Sequence, residues 1–281
     1  MQISKLIRCS LLPLALLTAG LSSGEEKRMF NTVKQKLAEG KQVIGGTINT
    51  SDPNVYCSMA NAGFDFTWIE MQHSPLTYDQ VAKMIWACRD APAIPFIRVP
   101  TPTEGDIQKA TDIGALGIVV PMVDSVQEAE DGVTYAKFPP RGKRSQGGGQ
   151  YGRLWGPNYR ALANDNIMVI VMIESPAGVD IVDKVAAIDG VDVVFAASGD
   201  IGSFTGWARD DPRYMALIEK IKVETLKAGK ILAGPLAWRD REGFMFFQGP
   251  SEGSLIRDGA KAVLQQPAEE MEDVATGDES N

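Results

Sequence analysis

His73 is the only histidine in the 281-residue chain. It closes the run Phe-Asp-Phe-Thr-Trp-Ile-Glu-Met-Gln-His-Ser-Pro, Phe64–Pro75, which reads as a buried strand entering a loop. Histidine is the one side chain whose ordinary pKa lies near neutrality, so imidazole acid–base chemistry at neutral pH would rest on His73 alone. Other strand-like runs end in groups that could act with it. Glu70 and Gln72 lie just before it; Ile-Arg-Val-Pro carries Arg98, Met-Ile-Glu-Ser carries Glu174, and Ala-Ser-Gly-Asp carries Asp200. Each has a plainer role open to it. His73 could be a surface or structurally bonded histidine, Arg98 could pair with Glu70, and Glu174 and Asp200 could cap the helices that follow them.

Taken together, these groups suggest one chemistry. Two carboxylates with few histidines suit a hard divalent cation such as Mg²⁺ or Mn²⁺, which takes oxygen ligands and keeps several waters. A 2-keto acid could complete the shell through its carboxylate and keto oxygen, with the cation acting as Lewis acid on the developing enolate. Arg98 would add a second positive charge at that oxygen, and His73 would move the proton.

A barrel would bring strand ends together in this way. Apolar, β-branched or aromatic runs are expected as strands at Gln42–Ile48, Phe64–Ile69, Pro95–Val99, Gly117–Pro121, Ile167–Ile173, Val191–Ala196, Lys230–Gly234 and Gly243–Phe247. They do not alternate cleanly, as expected of strands buried on both faces. Amphipathic runs predict helices over Asn54–Ala62, Tyr78–Asp90, Glu104–Ile113, Val126–Lys137, Gly178–Ala187, Arg213–Ala228 and Glu252–Leu264. Pro53 and Pro212 sit at first turns, and Gly63 and Gly229 at stops. Eight strands alternating with helices predict an α/β fold, a single-domain (β/α)₈ TIM barrel, whose catalytic groups gather at the C-terminal strand ends. No Gly-x-Gly-x-x-Gly follows the first strand, which counts against a doubly wound sheet. Pro139–Tyr159 is a long Gly-rich connection of the kind seen in functional lids or disordered segments.

The bulk properties narrow the class. A formal charge of −8 argues against non-specific nucleic-acid binding. Residues 1–24 read as a signal peptide, with basic Lys5 and Arg8, apolar Leu11–Leu21 and small Ser22-Ser23-Gly24. The apolar run is too short to span a bilayer comfortably, so no stable membrane insertion is expected after its removal, and the mature chain would be exported to the periplasm or secreted. Cys57 and Cys88 would be the mature cysteines. They could pair in an oxidising compartment, although free buried thiols in helices are the blander expectation. The barrel is expected over 25–266 and a solvated tail over 267–281, where Gln266–Asn281 holds six acidic residues and no basic ones.

These residues resemble the metal-dependent (class II) pyruvate aldolases of the HpcH/HpaI type, which include 4-hydroxy-2-oxoheptanedioate and 2-dehydro-3-deoxyglucarate aldolases. The resemblance runs from about Phe30 to Gln265. It is carried by Gly63-Phe64-Asp65-Phe66, Glu70–Pro75, Arg98-Val99-Pro100, Asp112-Ile113-Gly114-Ala115, Val120-Pro121-Met122-Val123, Pro139-Pro140, Met172-Ile173-Glu174 and Gly190-Val191-Asp192. It implies a (β/α)₈ barrel with Mg²⁺ or Mn²⁺ on Glu174 and Asp200, His73 as acid/base, Arg98 at the enolate oxygen and Glu70 beside them. It also implies substrate contacts at Met172, Ser198 and Gly199. Asp112 matches an acidic residue that orients the histidine, sometimes across a subunit boundary, and the family commonly forms hexamers that exchange the last helix.

The departures from the family pattern are specific. Glu70-Met71-Gln72-His73 stands for the usual Asp-x-Glu-His, Met172 for a Gln that contacts the keto acid, and Ala197-Ser198-Gly199-Asp200 for Gly-Pro-x-Asp. A thioether cannot make the amide's hydrogen bond. The expected reaction is cleavage or formation of a 4-hydroxy-2-keto acid and an aldehyde through a pyruvate enolate. Two alternatives stand beside it. One is another enolate-forming lyase, such as an oxaloacetate decarboxylase or a citrate-lyase-like enzyme. The other is a non-catalytic, exported keto-acid-binding protein, suggested by Gln72 and Met172.

Overall fold

The computed structural model describes residues 29–265. The expected signal peptide and acidic tail lie outside the described residues. Eight parallel strands close into a barrel in chain order. They are β1 Val43–Ile48, β2 Phe66–Glu70, β3 Ile94–Arg98, β4 Gly117–Val120, β5 Met168–Ile173, β6 Val193–Ala196, β7 Ile231–Pro235 and β8 Phe244–Ser251. The helices are α1 Thr32–Ala38, α2 Pro53–Ala60, α3 Tyr78–Ala87, α4 Glu104–Asp112, α5 Val126–Ala136, α6 Tyr151–Leu154, α7 Tyr159–Asn166, α8 Pro176–Asp180, α9 Val182–Ala186, α10 Ser198–Thr205, α11 Pro212–Lys227 and α12 Glu252–Gln265. Among the described residues no helix is long and apolar enough to cross a membrane.

Local signals set many helix starts. Asp52 caps α2 ahead of Pro53, and Asp211 caps α11 ahead of Pro212. Thr77 with Gln80, and Ser125 with Glu128, form capping boxes at α3 and α5. The single helix expected over Gly178–Ala187 is two short ones meeting at Ile181. β8 runs four residues beyond its expected end, because its tail pairs with β1 at Thr47↔Ser251.

The barrel is packed in layers, because alternate residues of each strand face inward. Phe66, Phe96 and Phe246 cluster with centroids 4.5 to 6.0 Å apart. Gly45 and Gly117 make room for them, since a Cβ would lie 2.1 Å from the Phe66 ring and 2.2 Å from the Phe96 ring respectively. Above sit Trp68 and Phe195, 5.4 Å apart. Two residues further on, β2 and β3 present Glu70 and Arg98, paired in register. The polar rim therefore stands on a filled aromatic floor.

Two further features of the structure differ from the sequence expectations. Cys57 and Cys88 are bonded, with Cα atoms 5.4 Å apart, so neither is a free thiol. The bridge joins α2 to the C-cap of α3, the helices on either side of β2 in sequence. The connection Pro139–Tyr159 is not a structureless lid over its own strand ends. It links α5 to β5 and therefore lies at the N-terminal face of the barrel. There it holds α6 and is pinned by Gln150 Nε2 donating to Ala82 O and Ile113 O, both at 3.0 Å. Trp155 Nε1 donates to Gly114 O at 3.0 Å.

Candidate active site

At the C-terminal rim, Glu70 is the hub of a hydrogen-bond network. Its Oε2 accepts from Arg98 Nε at 2.5 Å and from Trp68 Nε1 at 3.3 Å. Its Oε1 accepts from the backbone N–H of Gln72 at 2.9 Å and of His73 at 3.0 Å. Ser74 Oγ donates to the Glu70 carbonyl. One buried carboxylate thus holds both the guanidinium and the turn that bears the histidine. The structural pairing open to Arg98 is present, and both side chains are almost fully buried, with 9% and 3% exposed. A buried ion pair survives only when its remaining hydrogen-bonding capacity is met, as it is for Glu70. His73 itself is exposed at the rim.

Glu174 follows the last residue of β5 and is buried, with 1% exposed. It does not cap the next helix; Ser175 does, accepting from Gly178 N–H. Instead Glu174 Oε2 accepts the backbone N–H of Met122 at 2.5 Å. Burial pushes its carboxyl up to about 7. The Met122 bond and the Arg98 charge oppose that rise, while the charge of Asp200 and a hydrogen bond with it reinforce it. Asp200 lies in the first turn of α10, whose N-cap Ala197 offers no side chain. Two carboxylates therefore face each other beside the Arg98 guanidinium.

The remaining expected residues fall in three places. Ser198 is buried in the first turn of α10, and its carbonyl accepts from Tyr214 Oη at 3.0 Å. Nothing lies within 4 Å of where a Cβ on Gly199 would be, so space is open beside it. Met172 is buried two residues before Glu174, with its Sδ 3.7 Å from Arg98 Nη1. Asp112 is not on this rim within the chain. It ends α4 at the opposite face, where its Oδ1 accepts from Arg144 Nη2 at 2.9 Å and its Oδ2 from Gln108 Nε2 at 2.8 Å. Arg144 is buried there, with Tyr159 Oη 3.0 Å from Nη1 and its guanidinium 4.4 Å from the centre of the Phe138 ring.

Sequence reasoning missed two contributors. Trp68 could have been found, since i and i+2 share a strand face and it precedes Glu70 by two. Met122 could not, because its part is played by a backbone N–H.

The donor set can be tested against a divalent cation. Among the described residues no group of three or more His, Cys, Asp or Glu could hold a metal, so the protein would supply the two carboxylates of Glu174 and Asp200. Two hard oxygen ligands, one raised chiefly by burial and further by the other, fit a hard cation that keeps waters or takes substrate oxygens. A buried carboxylate facing a second, half-buried one is also an arrangement that a cation would relieve.

Residues 48–222 match the HpcH/HpaI aldolase/citrate lyase family. A hydroxypyruvate/pyruvate aldolase of Rhizorhabdus wittichii is 28% identical over 245 residues, covering 84% of this chain and 98% of that one. A solved HpcH/HpaI aldolase/citrate lyase family protein from Burkholderia cenocepacia superposes with a TM-score of 0.77 at 25% identity, over 84% of this chain and 98% of the other. The citrate synthase SbnG superposes at 0.72 with 28% identity, over 82% and 95%. With the barrel, the rim carboxylates and a match spanning most of the strands, the chain belongs to the HpcH/HpaI aldolase/citrate lyase family.

Proposed function

We propose that the protein is a metal-dependent aldolase acting on 4-hydroxy-2-keto acids through a pyruvate enolate. The observation that carries this reading is the facing pair Glu174 and Asp200, one buried and raised to about 7, beside the Arg98–Glu70 pair on one rim. Glu174 and Asp200 would hold Mg²⁺ or Mn²⁺, which when bound supplies Lewis acidity to the keto group. Arg98 stabilises negative charge developing on the keto oxygen, and Glu70 keeps its guanidinium aimed. His73 takes the proton from the 4-hydroxyl as the carbon–carbon bond breaks, and the aldehyde leaves. The first-turn amides at Ser198 and Gly199 suit the substrate carboxylate, because free N–H groups point out of a helix N-terminus. Met172 forms an apolar wall below it. No lysine at a strand end is needed.

The assembly proposed is a homo-oligomer, a hexamer by family resemblance, in which Asp112 of one subunit serves His73 of another. Its position at the far face of its own barrel supports this reading, since the chain alone keeps the two apart. Export to an oxidising compartment is proposed from the leader-like residues 1–24, and the Cys57–Cys88 bond supports it.

The test is proton exchange. Mature protein is incubated with pyruvate in D₂O with Mn²⁺ or Mg²⁺, then with EDTA, and the methyl signal is followed by NMR. Metal-dependent loss of that signal is expected in the wild type and not in His73→Ala. Exchange that survives EDTA, or that His73→Ala sustains at the wild-type rate, refutes the mechanism. A second reading, an enolate-forming lyase that decarboxylates oxaloacetate or cleaves citrate-like substrates, is favoured by the likeness to a citrate synthase. Turnover of oxaloacetate with no aldehyde-dependent reaction would select it.

A further inference from the structure

Among the described residues Met122 is the only non-glycine at positive φ, 51°. In this left-handed region the Cβ of an L-residue crowds the neighbouring carbonyl, so a residue other than Gly, Asn or Asp is held there by its surroundings. Those surroundings are visible. Before it, Val120 pairs with Val171 in the β4–β5 ladder, and after it Val123 N–H donates to Met172 O at 3.2 Å. The chain is thus tied to β5 on both sides of Met122, and the Met122 N–H turns out of the ladder. Its N–H points at Glu174 Oε2, 2.5 Å away.

We infer that Met122 is a positioning residue whose left-handed backbone directs its amide onto one oxygen of Glu174 and so fixes the carboxylate for a divalent cation shared with Asp200. The inference rests on the metal-dependent reading above. A flexible glutamate would have to be ordered when a cation arrives; here the bond to the amide has ordered it beforehand. An amide donor cannot be protonated away or displaced by a side-chain rotation, and Val123 locks the peptide that follows it. Strain retained at one residue beside a functional carboxylate is where such a role is expected. The side chain of Met122 is not what acts, which sets a clear order among variants.

The experiment is Mn²⁺ binding, read as free Mn²⁺ by electron paramagnetic resonance, on full-length mature protein. Circular dichroism on each variant reports whether it is folded. Met122→Gly and Met122→Asn both tolerate the left-handed region and should bind within about two-fold of wild type. Met122→Val is β-branched, disfavours that region and should bind about ten- to a hundred-fold more weakly, the worth of a hydrogen bond to a charged group. If Met122→Val is folded and binds as wild type does, the inference is overturned. It is equally overturned if Met122→Gly and Met122→Asn lose binding, because the side chain is then what matters. Where Met122→Val does not fold, Met122→Thr, β-branched as well but polar, takes its place with the same expected loss and the same refutation. Wild type that binds no Mn²⁺ at millimolar concentration refutes the metal-dependent reading itself, and this role with it.

Discussion

Burial and the facing Asp200 raise the Glu174 carboxyl from an ordinary 4.5 to about 7, and this has a consequence for stability. Between those values the folded chain keeps the proton and the unfolded chain does not, so stability falls as pH rises through the window. The size is about 3 kcal/mol, from about 1.4 kcal/mol per pKa unit. Metal-free protein in EDTA should therefore lose about that much unfolding free energy between about pH 4.5 and pH 8, beyond any loss in Glu174→Gln. Urea titrations of both proteins across that range measure it, and parallel pH curves would contradict it. Adding Mn²⁺ above pH 7 should restore stability to the wild type alone, by mass action on the folded state. At the same scale Glu70 anchors more than it reacts. Glu70→Gln would leave Arg98 buried without its charge partner and should cost about 3 kcal/mol in urea unfolding, with broader, weaker amide signals at Gln72 and His73. An unchanged midpoint would show that the ion pair contributes nothing.

Among the elements, the unit α2–β2–α3 matters most, because it carries Phe66 and Trp68 of the aromatic floor, Glu70 and His73 in one stretch. Cys57 and Cys88 close it 31 residues apart. Replacing both by Ser should lower stability by about 2–4 kcal/mol through the freer unfolded chain. Pyruvate exchange in the folded double variant should be unchanged, since the bond lies between helices and not at the rim. Thermal unfolding of wild type with and without reductant gives the same comparison, and coincident curves would show that the bridge does not stabilise the fold.

On the scale of the whole molecule, α12 is unlike the other helices. It touches the barrel mainly at its start, where Glu252 is buried and its Oε1 accepts Asn49 N–H at 2.9 Å. Beyond that, Ile256 is 63%, Val263 44% and Leu264 82% exposed. An apolar helix face of this kind marks an interaction surface. This agrees with the proposed oligomer, in which Asp112 also crosses to a partner. The decisive measurement is complementation. His73→Ala and Asp112→Asn, each inactive alone, should regain part of the exchange activity when unfolded and refolded together, because mixed assemblies contain sites with both wild-type groups. No recovery in a mixture that sediments as an oligomer would remove Asp112 from the site.

The barrel and most of its rim could be read from the sequence, because both follow from local rules. Strands buried on both faces leave apolar runs, and the residue after each run is placed at the C-terminal rim once chain order and alternation are known. Glu70, His73, Arg98, Glu174 and Asp200 were found in this way. What depended on distances between segments could not be found. The sequence allowed Cys57 and Cys88 to pair but left free thiols the plainer expectation; the packing of α2 beside α3 brought them together. The Gly-rich connection had the composition of a lid, and only its place between α5 and β5 put it at the far face with Asp112. Glu174 and Asp200 were equally good helix caps on paper, until the fold turned them towards each other. Met122 stood in the motif Val120–Val123, but nothing in its residue type marked a role, because its left-handed backbone is imposed by pairing on both sides. Residue type and spacing determined which groups line the rim; the closed barrel decided which of them meet, and buried Glu174 so that its carboxyl is raised.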